Sequence, residues 1–180
     1  PQLSTSSKWL IMLPGPPREL RPMFNDAVVP LLRKELPLDG EFVCRTLRTV
    51  GIGESQVADR IGKLLQTQIT QGMELGYCAH IGAVDVRFAA KGPPARKLVS
   101  EAEAVVRLEL AKHIFGEDDE TLESVIVRLL TERKQTLALA ESCTGGGLAN
   151  RLTNVPGASA VLLASLVTYA NAAKQKFVGV

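Results

Sequence analysis

Three consecutive glycines, Gly145, Gly146 and Gly147, stand between an apolar run at residues 136–140 and the helical spacing of Leu148, Ala149 and Leu152. A buried strand that turns through glycine into a helix is a repeating unit of open parallel α/β sheets. In such sheets ligands bind beyond the carboxyl ends of the strands, where free amides at a helix start attract anions. The stretch Ala140-Glu141-Ser142-Cys143-Thr144-Gly145-Gly146-Gly147 therefore delivers Ser142 to the edge at which chemistry is expected. Taken alone it is equally a glycine-rich connector with a Ser or Thr cap. It is not a Walker loop, because the Gly-x4-Gly-Lys spacing is missing. Ahead of it Leu122, Val125, Ile126, Leu129 and Leu130 share a helix face, and residues 160–169 suggest a further strand. Helix-strand-helix-strand over residues 117–180 predicts the front part of a doubly wound α/β domain.

Residues 40–116 carry a different pattern. The β-favouring stretch 41–50 is broken by Gly51-Ile52-Gly53, after which Val57, Ile61, Leu64 and Leu65 describe a helix face. Residues 75–81 and 84–90 flank Gly82-Ala83 as a hairpin, and Val84, Val86 and Phe88 alternate with Asp85 and Arg87, the mark of one buried face. Leu98, Ala102, Val105, Val106, Leu110 and Ile114 then line a long helix. The order β-α-β-β-α predicts a small α+β domain. Gly116 marks its end, and Glu117-Asp118-Asp119-Glu120 is expected to be a solvated helix entrance favoured by the dipole, in preference to a metal site.

Residues 1–39 predict only one strand, at 9–13, a rigid Pro14-Gly15-Pro16-Pro17 turn with a proline at the first helical position, and one helix. Pro30 should kink that helix in its last turn. Residues 36–40 read as a linker. One strand and one helix cannot bury a core, so this piece is expected to be the end of a larger domain.

Charge excludes some functions. Lys and Arg number 21 against 19 Asp and Glu, a net charge of +2. Strong nucleic-acid binding, which needs a basic surplus, is disfavoured. No apolar run approaches the roughly 20 residues that span a bilayer. Cys44, Cys78 and Cys143 are far apart, and His80 and His113 are the only histidines. Neither a disulfide framework nor a zinc site is expected, and a reduced, cytoplasmic protein fits best. Cys143 has no nearby histidine to act as its base and is expected to pack as a small apolar residue. Both histidines are expected to be structural.

Downstream of Ser142 come Ser159, in Val155-Pro156-Gly157-Ala158-Ser159, and Tyr169 and Lys174, in Tyr169-Ala170-Asn171-Ala172-Ala173-Lys174. Two serines, a tyrosine and a lysine at one strand edge can perform acyl chemistry without histidine, since a desolvated amine accepts a serine proton. Helix-start amides would stabilise the oxyanion. Each residue also has a plain structural use: Ser159 as a turn cap, Lys174 as a surface charge, Tyr169 as a core residue with a wet tip.

These motifs, in this order, resemble the CinA family of bacterial competence/damage-inducible proteins. The resemblance rests on Leu13-Pro14-Gly15-Pro16-Pro17-Arg18-Glu19, Arg48-Thr49-Val50-Gly51-Ile52-Gly53-Glu54-Ser55, the stretch from Ala140 to Gly147, Pro156 to Ser159, and Tyr169-x-Asn171-x-x-Lys174. It implies three parts. Residues 1–39 would end a molybdopterin-binding-like domain associated with ADP-ribose pyrophosphatase activity, with Gly15 and Arg18 near a phosphate and a divalent metal in the portion beyond this chain. Residues 40–116 would be a KH-like domain, and 117–180 the front of a three-layer α/β nicotinamide-nucleotide amidase, a hydrolase of NAD metabolism.

The resemblance makes Ser142, Ser159 and Lys174 catalytic and places Thr144, Gly145, Gly146, Tyr169 and Asn171 at the substrate, with no cofactor or metal for the amidase. Nicotinamide mononucleotide would place its phosphate on amides of the glycine turn. Spacing does not choose between the serines. Two positions depart from the family pattern: Ser165 stands where glycine is usual, and Ala172 where glutamate is common. Pyridine nucleotides are the implied partners, together with a second copy in a homodimer. The middle piece lacks a true GxxG spacing and sets Glu54 where a nucleic-acid phosphate would sit, so a spacer role is expected of it.

Overall fold

A sheet of four antiparallel strands dominates the computed structural model, which describes residues 10–36 and 40–180. Its strands are β1 (Phe42–Val50), β2 (Glu74–His80), β3 (Ala83–Lys91) and β4 (Ile114–Glu117), in the order β2-β3-β1-β4. The expected hairpin is β2–β3, closed by Ile81 and a positive-φ Gly82, with Cys78 opposite Asp85 and Leu75 opposite Phe88. The alternation on β3 works as predicted: Val84, Val86, Phe88 and Ala90 are buried, while Asp85 and Arg87 fall on the other face.

The buried side packs against α3 (Glu54–Ile61) and α5 (Ala95–Leu110). Val57 and Ile61 come from α3, Leu65 from the turn after it, and Leu98, Ala102, Val106 and Leu110 from α5, all in one cluster with Leu47 and Phe88. Leu64, expected on the same face, is exposed. It lies in the turn after α3, which breaks the 3.6-residue period before α4 (Gln66–Thr70). A buried Thr49 hydroxyl donates to the Val84 carbonyl at 2.7 Å, so the core's one polar intruder on β1 is satisfied.

Two parts of this sheet were not predicted. Ile114, expected on the α5 face, begins β4, which pairs with β1 across the register Leu47–Glu117. The acidic cluster beyond it lies directly before the Thr121 cap of the next helix, with Asp118 and Asp119 exposed as expected, but it also makes specific contacts. Asp118, at φ 48°, accepts the Thr46 amide at 3.0 Å and pairs with Arg45, which also meets Glu103. Glu117 pairs with Arg107, and the Glu120 carbonyl accepts from Arg48. Arg45 and Arg48 of β1 and Arg107 of the long helix thus tether a cluster that stays partly exposed. Gly116 is small because the Glu120 side chain would stand 3.1 Å from a Cβ placed there.

The first piece differs from expectation at both ends. Trp9 lies outside the described residues, and Leu10 to Leu13 form no strand. Among the described residues no neighbouring strand offers them hydrogen bonds. Pro17 does occupy the first position of α1 (Pro17–Met23). The predicted Pro30 kink is a π-helical turn, Phe24–Val28, before α2 (Val29–Glu35). Pro30 has no N–H for the carbonyl one turn back, and the wider turn accommodates the loss. Residues 37–39 of the expected linker lie outside the described residues.

The last piece is α/β. Thr121 caps α6 (Leu122–Glu132) through a reciprocal pair with Ser124. There follow β5 (Leu137–Glu141), α7 (Gly147–Thr153), β6 (Leu162–Val167) and α8 (Asn171–Val178). β5 and β6 are parallel, with Leu139 beside Ser165 and Glu141 beside Val167. A small cluster of Val127, Leu152, Ala158 and Val161 holds the helices to the strands. The strand predicted over 160–169 ends at Val167, and the Tyr-x-Asn-x-x-Lys segment runs into a helix.

Candidate functional site

Parallel strands sort residues by edge: those just after β5 and β6 emerge together, and those just before either strand lie at the other end. Ser142, Thr144, Gly145 and Gly146 follow β5, while Tyr169, Asn171 and Lys174 follow β6. The Thr168 amide donates to the Glu141 carbonyl at 2.9 Å, stitching the two exits together. Ser159 precedes β6. It sits in a 3₁₀ turn, Ala158–Ala160, and the Leu137 amide bonds the Val161 carbonyl at that same opposite end. Six residues of β6, roughly 20 Å of strand, separate Ser159 from the other candidates. The expected convergence of both serines on one edge does not occur within the chain.

The glycine turn is built from two successive reversals. The Gly145 amide bonds the Ser142 carbonyl at 3.0 Å, and the Gly147 amide bonds the Thr144 carbonyl at 2.9 Å. The central residues of the second reversal, Gly145 and Gly146, have φ of 59° and 90°, a conformation that costs side-chain-bearing residues energy. At Gly146 a Cβ would also meet the Val167 side chain at 3.3 Å. The glycines are needed for the path of the chain.

Sequence reasoning passed over Glu141. It is 5% exposed. Its carboxylate accepts the amides of Leu148 at 3.0 Å and Ala149 at 2.9 Å, in the first turn of α7, and the Ser165 hydroxyl at 3.3 Å. Burial pushes this carboxyl upward, but the two amides together with the Thr144 and Ser165 hydroxyls outweigh it and hold Glu141 below the usual carboxylate range. The Leu148 and Ala149 amides are therefore engaged by the protein's own carboxylate, and of the glycine-turn amides expected to receive a substrate phosphate, those of Gly145 and Gly147 bond the Ser142 and Thr144 carbonyls. The available signal was an acidic residue closing an otherwise apolar strand, directly before a glycine turn into a helix.

The remaining candidates are exposed to different degrees. Tyr169 is 74% exposed, not a core residue, and Asn171 opens α8 on the surface. Lys174 is half-buried one turn into α8 and, among the described residues, its amine has no ion pair or hydrogen bond. Cys143 is exposed, contrary to the expected packing, because it occupies an outward-facing corner of the first reversal. Ser159 lines a separate open depression of about 580 Å³ with Thr153, Asn154, Val155, Pro156 and Leu162. Gly15 and Arg18 are exposed, with nothing within 4 Å of a Cβ at Gly15.

His80 bonds Asp85 at 3.0 Å and His113 bonds the Val50 carbonyl at 3.2 Å, both structural contacts. No group of three or more metal-ligating side chains and no helix long and apolar enough to cross a membrane occurs among the described residues.

Two family models match this chain: the Damage-inducible protein CinA KH domain over residues 44–116 and the CinA C-terminal domain over residues 119–180. The chain belongs to the CinA family. A CinA-like protein of Gemmatimonas aurantiaca is 40% identical over 96% of this chain and 41% of its own length. A putative competence-damage inducible protein of Clostridium perfringens is 43% identical over 97% of this chain and 42% of its length. The chain thus spans about two fifths of these curated relatives. The crystal structure of competence/damage inducible protein CihA from Agrobacterium tumefaciens shares 41% identity, covering 32% of this chain and 35% of that one, with a TM-score of 0.32.

Proposed function

We propose that the full-length CinA protein containing this chain hydrolyses the carboxamide of nicotinamide mononucleotide, giving nicotinic acid mononucleotide and ammonia. The observation that carries the reading is the shared edge of β5 and β6, from which both Ser142 and the segment of Tyr169, Asn171 and Lys174 emerge. Ser142 is the nucleophile, because Ser159 lies at the other end of the strands. Lys174, in its uncharged form, takes the Ser142 proton as the serine oxygen bonds the carboxamide carbon. Collapse of the tetrahedral intermediate breaks the carbon–nitrogen bond, and the lysine proton leaves with ammonia. Water then attacks the acyl-serine and restores the hydroxyl, with Lys174 as base. Tyr169, exposed beside the edge, forms a wall for the pyridine ring. The phosphate is held by groups other than the Leu148 and Ala149 amides, which Glu141 occupies.

The KH-like piece, residues 40–116, serves in this reading as a spacer between flanking catalytic domains, in a cytoplasmic homodimer. Residues 1–39 end a first domain that uses a divalent metal on ADP-ribose. Incubating the full-length protein with nicotinamide mononucleotide and, separately, with ADP-ribose tests these assignments. Ammonia from the first is the expected result, and AMP from the second would mark the other domain as active. Absence of ammonia would overturn the amidase.

A further inference from the structure

A carboxylate that neutralises a helix start, and is itself held from a neighbouring strand, fixes the loop between them. Glu141 ends β5, and its carboxylate reaches forward seven and eight residues to the Leu148 and Ala149 amides. Everything between those anchor points is the Ser142–Gly147 turn. The same carboxylate takes the Ser165 hydroxyl of β6, and the Glu141 carbonyl takes the Thr168 amide, one residue before Tyr169. One residue therefore ties together the loop bearing Ser142 and the strand leading to Lys174. Ser165, which as an added side chain would be expected to narrow the site, is instead turned toward this carboxylate.

We propose that Glu141 is a positioning residue, braced by Ser165, that sets the distance between the Ser142 hydroxyl and the Lys174 amine. This rests on the proposed amidase reading. Glu141 touches no substrate: its oxygens are filled by protein donors, and it is buried. Its effect is geometric. Replacing one oxygen by an NH₂ group turns an acceptor toward an amide donor into a second donor, so the turn must shift. A displacement near 1 Å costs about a hundredfold in rate.

The test compares wild-type, Glu141→Gln, Glu141→Asp and Ser165→Ala full-length protein, with steady-state ammonia release from nicotinamide mononucleotide, melting temperature, and hydrogen exchange at the Leu148 and Ala149 amides. The expected result for Glu141→Gln is a kcat lower by about a hundredfold at a KM within threefold of wild type. Glu141→Asp should recover at least a tenth of the wild-type kcat, and Ser165→Ala should lose only a few-fold.

A kcat within twofold of wild type in Glu141→Gln would overturn the proposal. So would loss of kcat in Glu141→Gln and Glu141→Asp alike, in step with a lower melting temperature, since that is a merely structural role. If wild-type protein releases no ammonia, the amidase reading fails by itself, and the exchange data judge the brace. Exchange at Leu148 and Ala149 at least tenfold faster in Glu141→Gln supports it, and unchanged exchange overturns it.

Discussion

The KH-like piece and the C-terminal α/β piece are built from similar numbers of elements but are held together differently. In the first, helices α3 and α5 and strands β1 and β3 contribute fully buried chains to one cluster around Leu47, Ile61, Phe88 and Leu110. In the second, the cluster is Val127, Leu152, Ala158 and Val161, while Leu163, Leu166 and Val167 of β6 stay exposed. The first is a packed scaffold. In the second, Glu141 adds polar ties at the edge where the candidate chemistry sits.

The contrast is open to direct attack in the full-length protein. The largest effect should come from Phe88→Ala, at about 3–5 kcal/mol of lost stability in denaturant melts of the KH-like piece. Leu152→Ala should cost about 2 kcal/mol, the low end for such a truncation, because its smaller cluster can relax. Equal losses at the two sites would break the comparison.

Acid should separate the pieces in the same sense. Glu141's carboxyl is held below its unfolded value, so its stabilising contribution is present above the unfolded range near ~4.3 and is lost as pH falls through the folded value. Hydrogen exchange followed downward from pH 6 should show β5 and α7 amides losing protection before β1 and β3 amides. Thr49→Val removes the buried bond to Val84 and should cost about 1 kcal/mol. Arg128→Ala, whose partners are the half-buried Glu120 and the exposed Glu132, should cost about 0.5 kcal/mol or less.

What the amino acids revealed directly was local. The β3 alternation, the α5 face and the β5–glycine–α7 turn each depend on residues within one element, so periodicity exposes them. The strand β4 did not show itself, because four residues carry little periodic signal and their pairing partner, β1, lies some 70 positions away. The ties of the exposed Asp118 were hidden for the same reason: its partners, Thr46 and Arg45, belong to β1. The mistaken convergence of the two serines has another cause. Ser159 and Tyr169 flank one strand, so they must emerge at opposite ends of it, whatever their closeness in number. Glu141 was hidden by its neighbours, since a motif of Ser, Thr and Gly draws the eye to groups that react rather than to the one that holds them.

Serine replacement in the full-length protein tests the shared edge most directly. Ser142→Ala and Ser159→Ala are each assayed for ammonia release from nicotinamide mononucleotide, with Lys174→Met as the reference for loss of the base. The account predicts that Ser142→Ala falls to the level of Lys174→Met while Ser159→Ala keeps most of the wild-type turnover. Full activity in Ser142→Ala, with activity abolished in Ser159→Ala, would contradict it.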